Sequence, residues 1–259
     1  MLTVTTEQIG AWIGGYFWPF VRISALFMVA PVFGAQMLPV KIRIMLAFTL
    51  SLLVAPLLPA APAVDPVSLP GVFLLAQQVL IGVAMGFMVH MVFQTLVIAG
   101  EAMANGMGLG FARMVDPANG VQVPVISQFF IIMATLLFVT LNGHLMLIDM
   151  VVRSFHILPI GEGGLTPEGL HRVAAWGSQM FIGALLIALP AVTAMLVVNI
   201  SLGVITRAAP QLNIFAVGFP LMILLGFVFV ALSTPAVLNQ FTALMMDSFD
   251  AIIVILETK

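Results

Sequence analysis

Few residues in this 259-residue chain are of types that could do chemistry. Its four histidines are His90, His144, His156 and His171. They form no i, i+4 pair and no HExxH pattern, the arrangement that lets a helix present two imidazoles to one metal. There is no cysteine, which excludes disulfides, thiolate zinc sites, iron–sulfur clusters and thiol nucleophiles. Asp116 and Asp149 invite comparison with an intramembrane aspartyl pair. However, Asp116 stands before Pro117 in a polar stretch, and neither lies in a recognisable catalytic motif. These residues point away from an enzyme, a metal site and any cofactor.

Two other features carry more. Arg22 lies in the middle of an apolar run, where a cation costs ~3 kcal/mol to place at mid-membrane. It therefore either meets a partner subunit or a water-filled pore, or snorkels towards one interface and marks a shorter span. The stretch from Gly100 to Gly120 has glycine at every second position from Gly106 through Gly108 to Gly110, with Met103, Met107 and Met114 interleaved. Glycines allow a backbone to move or to approach another closely, and methionines supply soft side chains without one fixed geometry. The pattern suits a flexible loop closing a passage, and equally an ordinary surface loop with gap-filling methionine. It is no nucleotide site, since neither a preceding strand nor a Walker Lys-Ser/Thr pair accompanies it.

The elements that must position these residues are helices in a membrane. Hydrophobic residues make up 62% of the chain and charged ones 7%, against roughly 25% charged in a globular domain. Most of the surface must then face lipid or protein. A net charge of −2 leaves no basic patch for nucleic acid. Apolar runs at about residues 9–33, 44–60, 72–99, 125–152, 177–206 and 212–234 predict six long helices, partly kinked, for example at Pro190 and Pro220. The first reads as a retained helix, because no basic residue precedes it. Gly10-xxx-Gly14 and Gly82-xxx-Gly86 permit close helix contact. From Pro235 on, Val237, Phe241, Leu244, Met245, Phe249, Ile252 and Leu256 recur at helical spacing opposite Gln240, Asp247 and Asp250, predicting a seventh, amphipathic helix. The fold class expected is an all-α integral membrane protein with a single membrane domain over 1–259.

Several stretches together resemble a known family. Leu141-Asn-Gly-His-Leu145, Arg153-Ser-Phe155 with Pro159-Ile-Gly161, Asn199-Ile-Ser-Leu-Gly203, and above all Arg207-Ala-Ala-Pro-Gln-Leu-Asn-Ile-Phe215 with Gly218-Phe-Pro220 resemble the FliR/SctT family of type III secretion export-gate components. Pro31-Val-Phe-Gly34, Pro39 with Arg43, and Gly100-Glu101 leading to Asp116-Pro117 match in the same order. The resemblance covers essentially the whole chain. It implies a core subunit of the flagellar export gate in the bacterial inner membrane, at the basal body, packed in a hetero-oligomeric helical assembly with FliP and FliQ homologues. FlhB and FlhA are then expected nearby, with unfolded flagellar subunits in transit.

By the same resemblance, residues 1–176 are FliP-like and 177–259 form a FliQ-like helical hairpin and tail. The stretch 100–123 then corresponds to a pore-plugging loop, with Gly106, Met107, Gly108, Leu109, Gly110, Phe111 and Met114 as the plug. Arg22, Glu101, Arg113, Asp116, Arg207, Gln211 and Asn213 are the residues expected to contact partners. A small-molecule secondary transporter is the competing reading. Internal repeats and polar groups converging at mid-membrane would favour it, and neither is evident beyond Arg22.

Overall fold

The computed structural model describes residues 6–34, 38–110, 124–209 and 214–258, and the side chains among these outside 6–13 and 214–216. Every regular element among them is helical: α1 (Thr6–Val29), α2 (Val40–Val54) running into a 3₁₀ turn (Ala55–Leu57), α3 (Leu69–Gly106), α4 (Val125–Thr140), α5 (Gly143–Ile157), α6 (Pro167–Ala208) and α7 (Ile214–Glu257). Four stretches are long and apolar enough to cross a membrane: Val40–Leu57, Leu69–Gly106, Pro167–Ala208 and Val217–Glu257. A fifth span arises if α4 and α5 are taken as one broken crossing.

The helices differ from the expected ones in three places, each for a local reason. The fourth apolar run is interrupted at Asn142, which takes φ 57° and starts α5. Asparagine tolerates this left-handed conformation better than most residues, so the chain turns within an apolar run. At the C-terminus no separate seventh helix forms, because α7 continues unbroken through Pro235. Next to that proline, Ser233 Oγ donates to the Phe229 carbonyl (2.8 Å) and Thr234 Oγ1 to that of Val230 (3.0 Å), each hydroxyl turning back onto its own helix. The predicted apolar face is correct: all seven residues from Val237 to Leu256 are buried, while Asp247 and Asp250 are exposed. Finally, α3 and α6 reach further than their apolar cores. α6 starts at Pro167, where Thr166 Oγ1 accepts from Gly169 N (3.1 Å) and Glu168 sits in the first turn.

At 1.5 Å per residue, α3, α6 and α7, of 38, 42 and 44 residues, run to roughly 55–65 Å, about twice the ~30 Å hydrocarbon thickness of a bilayer. Helices of that length cannot be contained in lipid along their whole course.

The chain forms two compact units, neither of them continuous in sequence. One comprises Met1–Met91, Phe138–Gly177 and Met246–Lys259, the other Val92–Leu137 and Ser178–Met245. In the first, α1 and α3 meet backbone to backbone. A Cβ on Gly82 would strike the Arg22 carbonyl and the Ala25 side chain, and one on Gly86 would lie 2.8 Å from the Leu26 carbonyl. The small-xxx-small pair predicted from sequence thus lets the two helices approach closely. Trp18, Ile23, Leu26 and Phe27 of α1 and Ile81, Met85 and Met88 of α3 are buried in this unit. In the second unit, Phe93 meets Phe241 edge-on (5.5 Å between centroids), and Ser127 Oγ donates to the Val97 carbonyl (2.9 Å).

Candidate functional site

In the first unit, Arg22 lies on the third turn of α1 before its end and has no exposed surface. Its guanidinium uses three nitrogens on two elements, α3 and α5 with its C-cap. Nε donates to Gln78 Oε1 on α3 (2.8 Å), Nη1 to Ser154 Oγ on α5 (3.1 Å), and Nη2 to the Leu158 carbonyl just past α5 (3.0 Å). The ring of Phe155 packs against the guanidinium, 4.1 Å from Cζ to centroid. Ser154 can accept because its own proton goes to the Val151 carbonyl (2.6 Å). The Leu158 carbonyl lies at the negative end of α5, where a cation is favoured.

Each acceptor is neutral, so Arg22 keeps its charge through hydrogen bonds, a helix end and a ring face. The sequence reading left Arg22 between a partner, a pore and snorkelling; in this structure its own chain encloses it. The buried Gln78 Nε2 and Trp18 Nε1, by contrast, have no hydrogen-bond partner among the described residues.

The second candidate is the end of α3, in the other unit. The expected loop begins later than predicted, because residues 100–106 are helical and Met103 and Ala104 are buried. The helix closes with Met107 N donating to the Met103 carbonyl, Gly108 N to that of Asn105, and Leu109 N to that of Ala104, all at 3.0 Å. The last two bonds make a Schellman cap, which needs a left-handed residue at its turn, and Gly108 supplies it with φ 80°. This glycine therefore orders the chain.

Met107 is fully buried. Its side chain fills the space over Gly226 of α7, where even a single methyl group would overlap Met107 Cγ, Sδ and Cε. A Cβ on Gly108 would lie 3.3 Å from the Phe219 ring and 3.4 Å from Met222 Cε, and one on Gly106 3.6 Å from Met195 Cβ. Asn199 Nδ2 reaches the Gly106 carbonyl at 3.4 Å, a long hydrogen bond. The end of α3 is thus held by apolar packing, one glycine socket, one left-handed cap and one weak polar contact. Leu109 and Gly110 are half-buried beyond it.

Of the remaining residues expected to contact partners, Glu101 is half-buried on α3, and Arg207 is exposed in the last turn of α6, where a cation complements the helix end. Phe111, Arg113, Met114, Asp116, Gln211 and Asn213 lie outside the described residues. Sequence reasoning missed Gln78, Ser154 and Phe155 as partners of Arg22, although Ser154 and Phe155 stand in a stretch singled out for its resemblance. It also missed Gly226, a lone glycine in an apolar run, for which no spacing signal existed. No group of three or more His, Asp or Glu is placed to hold a metal among the described residues.

Fold and sites together define the class: an all-α membrane protein with polar and soft apolar packing devices inside. The model of the family of bacterial export proteins, family 1, matches residues 13–248, so the chain belongs to that family. It is 40% identical over 237 residues to flagellar biosynthetic protein FliR of Escherichia coli, covering 92% of this chain and 90% of that protein. The identity to FliR of Pectobacterium carotovorum is 39% over 251 residues, covering 96% and 95%. FliR of Bacillus subtilis matches at 31% over 212 residues, covering 81% and 82%.

Proposed function

We propose that this chain is a core subunit of the flagellar type III secretion export gate, forming and closing the channel through which unfolded flagellar subunits cross the inner membrane. The observation that carries this reading is the near-complete alignment with flagellar FliR proteins, spanning 92% of the chain and 90% of the Escherichia coli relative. The chain is a component of the flagellar export apparatus in the bacterial inner membrane. Its long apolar helices suit that location.

Within this reading, FliP and FliQ homologues share one complex with the chain, and FlhB and FlhA lie nearby. Residues 1–176 act as a FliP-like part and 177–259 as a FliQ-like hairpin and tail. The stretch 100–123 closes the passage, and Arg207 with the turn after it faces partners. The role is non-enzymatic, with passage and closure performed by packing. The transporter alternative is not favoured. A groove of about 390 Å³ in the second unit is lined by Ile98, Ala102, Phe181, Leu185 and Leu189, with Thr193 the polar side chain among its lining residues. A polar solute would find little there to recognise.

Two experiments test the reading. Co-expression with FliP and FliQ homologues, followed by native mass spectrometry, is expected to yield a mixed complex; a stable chain without partners would overturn the proposal. Deleting Gly106–Gly110 is expected to preserve assembly while raising ion leak across the inner membrane. Unchanged leak would remove the closing role from this segment.

A further inference from the structure

The two small-xxx-small pairs end in different neighbourhoods. Gly82 and Gly86 lie against the backbone of α1. A Cβ on Gly14 would instead lie 3.2 Å from Trp18 Nε1 and 3.4 Å from the Pro62 carbonyl oxygen, in the connection between α2 and α3. We propose that Trp18 Nε1, the Pro62 carbonyl and the room left by Gly14 form a binding site for one structural water molecule, which fastens that connection to α1.

These residues belong to a single unit, and three observations carry the assignment. Trp18 is fully buried, and its indole N–H has no acceptor among the described residues. A buried donor left unpaired is costly, so nearly all such groups bond to protein or to ordered water. The Pro62 carbonyl accepts from Val64 N (2.8 Å), and a carbonyl oxygen has capacity for a second bond. Finally, a donor and an acceptor flank the same small space, which exists because residue 14 carries no side chain.

The carbonyl is also held in place. Gly161 takes φ 93°, and a Cβ there would lie 2.9 Å from Pro62 Cγ, so the proline ring packs closely on a second glycine. Trp18 stands four residues before Arg22 on the same face of α1, so the site adjoins the turn that carries the enclosed guanidinium.

The occupant must accept from an indole N–H and donate to a carbonyl oxygen within the room of a small side chain. A cation would be opposed by the N–H and an anion by the carbonyl, while a carbonyl ligand has no proton to give. Water does both, and two polar partners are enough to order it.

Substitutions at residue 14, in a chain expressed in place of the natural one, separate hydration from crowding. The readout is the steady-state amount of chain in the inner membrane. Gly14→Ala sets a methyl group against the indole N–H and excludes the water. Gly14→Ser adds at least the same crowding, but brings a hydroxyl that takes over the water's bonds. Crowding and helix propensity both rank serine no better than alanine. The water site predicts the reverse: a several-fold fall for Gly14→Ala, and recovery of most of it for Gly14→Ser. In a Trp18→Phe background the advantage of serine is expected to vanish, because the donor has gone.

Serine at or below alanine would overturn the proposal, as would an advantage that persists without the indole. Should neither variant accumulate, the natural chain decides. A cryo-electron-microscopy map of its native assembly, good enough to show buried waters elsewhere, is expected to hold a peak within hydrogen-bond distance of both Trp18 Nε1 and the Pro62 oxygen. No peak there, or a direct bond between the two groups, would overturn the water site.

Discussion

The Arg22 knot in one unit and the Met107 seat in the other each join three elements or fewer through one central side chain, by opposite physics. Arg22 is held by three directional hydrogen bonds, a helix end and a ring face, all away from the surface. Removing the guanidinium takes a donor from the Gln78 Oε1 and Leu158 carbonyl acceptors in a buried place. Met107 is held by shape, with one long polar contact alongside. It can leave without stranding a charge. The comparison teaches that a membrane protein fixes one place with buried polarity and leaves another adjustable with soft apolar packing.

Breaking the knot is expected to have the largest effect. Arg22→Leu should cost about 3 kcal/mol or more, since two or three buried acceptors lose a charged donor. The steady-state amount of chain in the membrane, measured with and without its partners, should fall sharply. An undiminished amount would show that the knot contributes little. Arg22→Lys should recover only part of the loss, because an ammonium lacks the planar fork that reaches all three acceptors.

The Met107 seat predicts the next largest effect. Met107→Ala should lower the amount of chain by a smaller step, since emptying a filled socket costs about 2 kcal/mol. A fall as large as that of Arg22→Leu would erase the distinction drawn between them.

Arg207→Glu comes next. It replaces a favourable charge at the exposed end of α6 by an unfavourable one, a change of about 1 kcal/mol in helix stability. Expression should persist while export falls, and wild-type motility would remove the functional role of this turn. Smallest of all is Arg172→Ala, which opens the exposed pair with Glu168 (3.3 Å) and should change stability by under about 0.5 kcal/mol. A larger change in thermal stability would mean that the α6 N-terminus does more than cap a helix.

Legibility differed between the two places for physical reasons. The Gly82-xxx-Gly86 contact and the buried face from Val237 to Leu256 were readable, because helical periodicity is a local property of the chain. The breaks were not. Proline at 235 predicts interruption, but α7 passes through it. The glycines at 106 and 108 suggested motion, whereas the structure uses Gly108 as a helix cap. Arg22 was recognised as costly but assigned to the outside, since its acceptors lie 56, 132 and 136 residues away.

The sequence alone determined that the chain is an all-α membrane protein without thiol or metal-ligand patterns, and its motifs were enough to resemble the export-gate family. Composition and period are sums over neighbours, and these survive without knowledge of the fold. Tertiary structure alone decided which residues close around Arg22, that Met107 rests in the socket of Gly226, and where the long helices run on or break. Those outcomes depend on which distant backbones approach closely enough to exclude a side chain, and no local pattern encodes that distance.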